Sequence, residues 1–122
     1  MPSDSSSTVN DLKSEVQRFC EDRDWDRFHN AKDLAIGIST EAAELLDNFR
    51  FKSNNEIEGL FFKDETREQI TQELADVMFF ILRFSQVYDI DLAEELTKKM
   101  EINEKKYPVE KARGSNKKYT EL

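Results

Sequence analysis

The stretch ITQELADVMFFILRF, residues 70–84, decides how this chain folds. Residues 77–82 are six apolar side chains in a row, with no strand-like alternation. On a helix such a run leaves no polar side, so this helix is central or buried at a subunit interface. Two acids, Glu73 and Asp76, interrupt its apolar surface one turn apart. At 100° per residue, Phe80 and Phe84 fall within about 20° on either side of Glu73, with Val77, Ile70 and Ile81 beyond Phe84. Glu73 therefore lies inside an apolar arc and Asp76 at its edge. A lone buried carboxylate costs several kcal/mol, roughly, unless it is paired or bound to a cation.

A second acidic pair, Glu41 and Glu44, has the same spacing on another helical segment, where Glu41 borders Leu34, Ile38 and Leu45. Two such helices packed together aim four carboxylates at one point. Four converging anions need a cation, and hard oxygen ligands suit Mg²⁺, with Mn²⁺ as a substitute. Acidic pairs at this spacing also arise by chance in a chain with 26 Asp and Glu among 122 residues. Glu21/Asp24, Glu44/Asp47, Glu65/Glu68, Asp91/Glu94 and Glu101/Glu104 read as solvated faces. Only the apolar setting separates the two candidate pairs from these.

Working outward, four helices account for most of the sequence. The first spans about 8–23, with Val9, Leu12, Val16 and Phe19 at helical spacing. A link containing Trp25, Phe28 and His29 follows. Asn30 and Asp33 signal the start of the second helix, which runs to about residue 51. Residues 53–63 break the pattern and read as a loop or short helical turn with an apolar plug, Leu60, Phe61 and Phe62. The third helix spans about 64–88, with Asp64 as its cap, and the fourth 91–106, opened by Asp91 and Glu94. Short connections then give an all-α, mostly antiparallel four-helix bundle.

Composition bounds the rest. The chain has the length of one domain. With 38% apolar and 36% charged residues it can form a core under a highly charged surface. A chain this small and polar often completes its core with a second subunit, so a homo-oligomer is expected. A net charge of −8 argues against nucleic-acid or anionic-membrane partners, and no apolar run is long enough to span a membrane. Cys20 is alone, so no intrachain disulfide forms; a reducing, cytoplasmic compartment fits. Residues 1–8 read as a disordered lead, 9–106 as the helical domain and 107–122 as a basic strap. Residues 1–104 hold twice as many acids as bases. By contrast, residues 105–122 carry Lys105, Lys106, Lys111, Arg113, Lys117 and Lys118 against Glu110 and Glu121. Such a tail either lies on the acidic surface or closes over an anionic ligand.

Several stretches together resemble one family: RDWDRFH at 23–29, EAAELLDNFRFK at 41–52, QELADV at 72–77, KMEINEKKYP at 99–108 and RGSNKKYTEL at 113–122. In this order they are similar to the MazG-like, all-α nucleoside triphosphate pyrophosphohydrolases, dCTP pyrophosphatase branch. The resemblance implies a homotetramer built from tight dimers. It also implies Mg²⁺-dependent cleavage of a nucleoside triphosphate, dCTP or a 5-modified dCTP, to monophosphate and pyrophosphate. Glu41, Glu44, Glu73 and Asp76 would then be both metal ligands and catalytic groups. By position it implies that Trp25 and His29 enclose the base and that Lys99 and Asn103 lie near sugar and phosphates. Lys118 and Tyr119 would close over the nucleotide from a neighbouring subunit. Two positions depart from the pattern: Phe51 stands where a Trp is usual and Phe80 where a Tyr is usual. Phe keeps stacking area but loses the polar atom, which weakens the expectation of strict dCTP preference.

Two rival readings are a broad-specificity or dUTP-directed pyrophosphohydrolase, and a non-catalytic helical dimerisation module with its carboxylates in interhelical salt bridges. A di-iron carboxylate bundle would want Glu-x-x-His on two helices. This chain's one histidine lies outside the acidic helices.

Overall fold

The computed structural model describes residues 1–122 and is helical throughout. It has six α-helices: α1 (Val9–Asp22), α2 (Ala31–Asp47), α3 (Asn54–Leu60), α4 (Asp64–Val87), α5 (Leu92–Lys106) and α6 (Val109–Ala112). Short 3-10 turns occur at Asp26–Phe28 and Tyr119–Glu121. The all-α expectation holds. The count of four does not: the stretch read as a loop or short helical turn forms α3, and the basic tail contains α6. Ser53 and Glu56 form a reciprocal capping box at the start of α3, a signal present in the sequence.

The ends of the helices show which local signals decided them. Thr8 and Asp11 cap α1 reciprocally. Asn30 accepts from the Asp33 amide at 2.8 Å and opens α2; Asp91 accepts from Glu94 at 2.9 Å and opens α5. Asp64 does not cap α4: it is the first helical residue, and Lys63 ahead of it offers no side-chain cap. Instead, Thr66 ties back to the carbonyl oxygens of Leu60 and Lys63, holding the α3–α4 corner. The second helix stops at Asp47 rather than continuing to residue 51. There the chain turns, and Phe51 adopts a φ of 62°. Phe49 stacks on Phe61 across this corner, with centroids 6.2 Å apart.

Two compact units divide the chain, Met1–Asp89 and Ile90–Leu122. In the first, α4 is the central helix and packs against both α2 and α1, as its apolar run predicts. Contacts between α2 and α4 run in opposite sequence order. His29, just ahead of α2, meets Arg83, Gly37 meets Phe80, and Glu41 meets Asp76 and Glu73, so the two helices are antiparallel. Leu34 and Cys20 are wholly buried, and Ile70 and Leu82 nearly so. In the second unit, the final turn folds back within the unit. Tyr119 lies edge-on to Tyr107 at 6.0 Å, and the Lys106 ammonium sits 4.7 Å from the Tyr119 ring centroid.

A close approach on the α2–α4 seam depends on a missing side chain. A Cβ added to Gly37 would stand 2.5 Å from the Phe80 ring, whereas one added to Gly59 in α3 would meet nothing within 4 Å. Gly to Ala inside a helix gains about 1 kcal/mol in propensity, and overpacking a seam costs about 1–3 kcal/mol. Gly59→Ala should therefore raise the urea midpoint, while Gly37→Ala should lower stability by about 1 kcal/mol. Equal effects at the two glycines would contradict the seam as described.

Candidate metal and nucleotide site

The seam brings the two acidic pairs together. One carboxylate oxygen each from Glu41, Glu73 and Asp76 lies within 4.8 Å of the others. Glu44 lies beside Glu41 and Glu73. Glu41 and Glu73 are half-buried, and Glu44 and Asp76 are exposed, in keeping with the apolar arc around Glu73 and its edge at Asp76. Burial pushes the carboxyl groups of Glu41 and Glu73 above the usual carboxylate range; contact with Glu44 and the neighbouring negative charges push the same way.

Two atoms mark what this cluster lacks. Glu41 Oε2 and Glu73 Oε2 are buried and accept no hydrogen bond. Buried acceptors are normally satisfied, and leaving them unpaired is costly. A divalent cation would fill both needs at once, and an all-oxygen donor set suits Mg²⁺ or Mn²⁺. The residues therefore fit the metal that the sequence implied.

The other expected site residues fall into two groups. Phe80, one turn beyond Asp76, is half-buried against Gly37 on the same seam. From it an aromatic row runs outward. Phe80 meets Phe79 at 5.3 Å, Phe79 meets Phe19 at 5.9 Å, Phe19 meets Trp25 at 5.6 Å and Trp25 meets His29 at 6.2 Å, every pair edge-to-face. Trp25 and His29 are thus adjacent and joined by packed rings to the seam. Phe51 sits beyond the end of α2, 94% exposed, with the Arg50 guanidinium 4.9 Å from its ring centroid. Lys99, Asn103, Lys118 and Tyr119 all belong to the second unit, Lys99 exposed and Asn103 half-buried on α5.

Three residues of this region escaped the sequence reading. Phe19 and Phe79 build the row, and Arg83 is 2% exposed on α4. The signal for Arg83 was the one used for Glu73: a charge within an otherwise apolar run. Arg83 reaches the link ahead of α2, where its Nε donates to His29 Nδ1 at 2.9 Å. Its Nη1 donates to Gln86 and its Nη2 is paired with Asp26. The link is shaped to meet it. Asp24 closes α1 with a φ of 56°, and the Trp25 amide donates to the Cys20 carbonyl at 3.0 Å. The Asp26–Phe28 turn then carries Asp26 and His29 toward α4.

The pH dependence follows from the raised carboxyl groups. Their contribution to metal-free stability is present below the ordinary carboxylate value. It is lost as pH rises through their raised values in the folded state. A bound cation reverses this. Mg²⁺ at a hundredfold excess over its Kd should stabilise the protein by about 2.7 kcal/mol near neutral pH. That gain should fade as the pH is lowered and Glu41 and Glu73 take up protons. A melting temperature indifferent to Mg²⁺ and Mn²⁺ near pH 7.5 would exclude the site.

The profile of the MazG-like family matches residues 36–122, which span both acidic pairs. The dCTP pyrophosphatase 1 of Homo sapiens is 31% identical over 115 residues, covering 94% of this chain and 68% of that protein. The Bos taurus protein of the same name is 30% identical over 118 residues, covering 97% of this chain and 70% of that protein. Among solved structures, a pyrophosphatase from Archaeoglobus fulgidus superposes with a TM-score of 0.76 at 34% identity, covering 82% of this chain and 92% of its own.

Proposed function

This chain belongs to the MazG-like family, and from that premise we propose that it hydrolyses a pyrimidine deoxynucleoside triphosphate, dCTP or a 5-substituted dCTP, between the α and β phosphorus atoms. It is an enzyme of the nucleoside triphosphate pyrophosphohydrolase class, in keeping with relatives that are pyrophosphatases by name. The observation that carries the finer reading is the convergence of Glu41, Glu73 and Asp76 around two buried, unsatisfied carboxylate oxygens.

Glu41, Glu44, Glu73 and Asp76 would hold Mg²⁺. When bound, the cation offsets the repulsion between triphosphate and carboxylates, polarises phosphoryl oxygens and lowers the pKa of bound water. Exposed Glu44 and Asp76 face solvent, where a carboxylate not engaged by metal can orient the attacking water and take its proton. Trp25 and His29 would flank the base, with Phe51 as an apolar wall beside the 5-position. A methyl or halogen there gains roughly 0.8 kcal/mol per buried carbon. Phe80, lacking a hydroxyl, adds packing at the seam without a hydrogen bond, which loosens discrimination. Lys99, Asn103, Lys118 and Tyr119 would supply the cations and polar contacts that a triphosphate needs beyond metal. Released monophosphate and pyrophosphate suit a role in nucleotide-pool sanitation. We place this in the cytoplasm, where the lone thiol of Cys20 stays reduced; no helix is long and apolar enough to cross a membrane.

The active form is proposed to be a homo-oligomer, a tetramer built from tight dimers. Leu74, Val77, Met78 and Ile81 line a cleft of about 480 Å³ on the face of α4, and Leu74 is 56% exposed. A second subunit packed on this face would explain why the helix carries no polar side.

A turnover panel over common and 5-modified triphosphates should give Mg²⁺-dependent release of pyrophosphate, not orthophosphate, with dCTP or a 5-substituted dCTP fastest. Glu73→Gln should cut kcat by at least about 100-fold while the helical circular dichroism is kept. Deleting residues 112–122 should raise KM. Faster turnover of purines would remove the base assignment, and activity in excess chelator would remove the metal. Light scattering at micromolar concentration should report an oligomer; a monomer would leave the α4 face without the proposed partner.

A further inference from the structure

The acidic cluster does not involve Arg83, yet Arg83 is the most completely buried charge in the first unit and every nitrogen of its guanidinium has an acceptor. It bridges residues far apart in sequence, from α4 to the Asp26–Phe28 turn and His29. An arginine Nε always carries hydrogen, so the bond to His29 Nδ1 requires a lone pair on that nitrogen. The ring's single proton is then on Nε2. Half-buried beside Arg83, His29 is also held below the usual histidine range, first by desolvation and then by the guanidinium charge. Asp26 from the turn and Asp33 from α2 pull the other way. Glu21 from α1 and Gln86 and Val87 from α4 complete the lining of a cleft of about 210 Å³ around Asp26, His29 and Arg83.

We propose that Arg83 is a positioning residue for base recognition: it commits His29 Nδ1 and so makes His29 a neutral ring whose only donor is Nε2–H, held beside Trp25. This rests on the reading that Trp25 and His29 flank the base. A ring fixed in that form seeks an acceptor, such as the O2 carbonyl of a pyrimidine or the unprotonated N3 of cytosine. It cannot serve an N–H donor edge, because the nitrogen that could accept is already occupied. Protonation of His29 would place a second hydrogen against the Arg83 Nε–H and break the arrangement. Recognition through His29 should therefore weaken as pH falls through the histidine's lowered range, while chemistry at the carboxylates follows its own profile.

His29 is the only histidine in the chain, so its imidazole signals need no assignment. Long-range proton–nitrogen correlation spectra of the metal-free wild-type protein should show one tautomer, with hydrogen on Nε2. A proton on Nδ1 would overturn the proposal before any variant is made. In Arg83→Met the two tautomers should mix and the titration midpoint should rise toward that of an unperturbed histidine. KM for dCTP should rise about tenfold, the worth of one hydrogen bond, with a much smaller change in kcat. Arg83→Lys keeps the charge but cannot hold Asp26, Gln86 and His29 in one planar fork, so it should fail to restore the wild-type tautomer. Full rescue by lysine would reduce Arg83 to a charge and overturn the positioning role. In a His29→Ala background, Arg83→Met should add little to KM. An undiminished effect there would make Arg83 merely structural and end the proposal. The spectra read the clamp without turnover, so a failure of the dCTP reading would be seen separately in the kinetics.

Discussion

The seam between α2 and α4 has to satisfy two opposed demands. Apolar burial around Leu34, Ile70 and Leu82 draws helices together, while the Glu41, Glu44, Glu73 and Asp76 side chains push the same helices apart. Packing wins because the charges sit at one level of the seam and the apolar contacts extend along it. Gly37 then lets the Phe80 ring lie directly on the α2 backbone. The repulsion is not dissipated; it appears as raised carboxyl groups and two unsatisfied oxygens. A cluster with that balance is organised by the packing of the two helices and not by the charges it holds.

Trp25 and His29 are organised by different means. The link from Asp24 to His29 has no regular helix long enough to fix it. It is held by the aromatic row on one side and by Arg83 on the other. Arg83 is buried while Asp26 is largely exposed, so solvent screens this pair, and the attachment rests on the whole fork of contacts from Arg83 to His29, Gln86 and Asp26. The acidic cluster and the Asp24–His29 link are therefore both anchored to α4, one through Glu73 and Asp76 and one through Arg83. That shared rigid helix makes the spacing between them a property of the fold rather than of the loops.

How much of this was legible beforehand differs by residue. The setting of Glu73 came directly from the helical wheel, because Phe80, Phe84, Val77 and Ile70 surround it on the same arc of the helix. Asn30 and Asp91 were readable as caps, since each side chain needs only its own neighbours. The end of α2 was not readable: the apolar period continues through Phe49, and the stop at Asp47 is set by the stacking of Phe49 on Phe61 across the corner. The brevity of α3 left its stretch readable only as a loop or short helical turn, although its Ser53–Glu56 box was in plain sight. Arg83 stood out as a charge in an apolar run, but what it binds was invisible for a deeper reason. Its partners Asp26 and His29 lie more than fifty residues away, and only the fold puts them within reach.

Phe51 illustrates a conflict that sequence patterns conceal. Its φ of 62° lies in the left-handed region, which bulky side chains adopt at a cost, and with 94% of its surface exposed it recovers almost nothing through burial. Glycine or asparagine would sit there more comfortably. A programme of thermostabilisation that ranked substitutions by folding energy alone would choose this position early and strip out the ring. If the ring serves the ligand, thermal robustness and discrimination between nucleobases are traded against each other at a single backbone torsion.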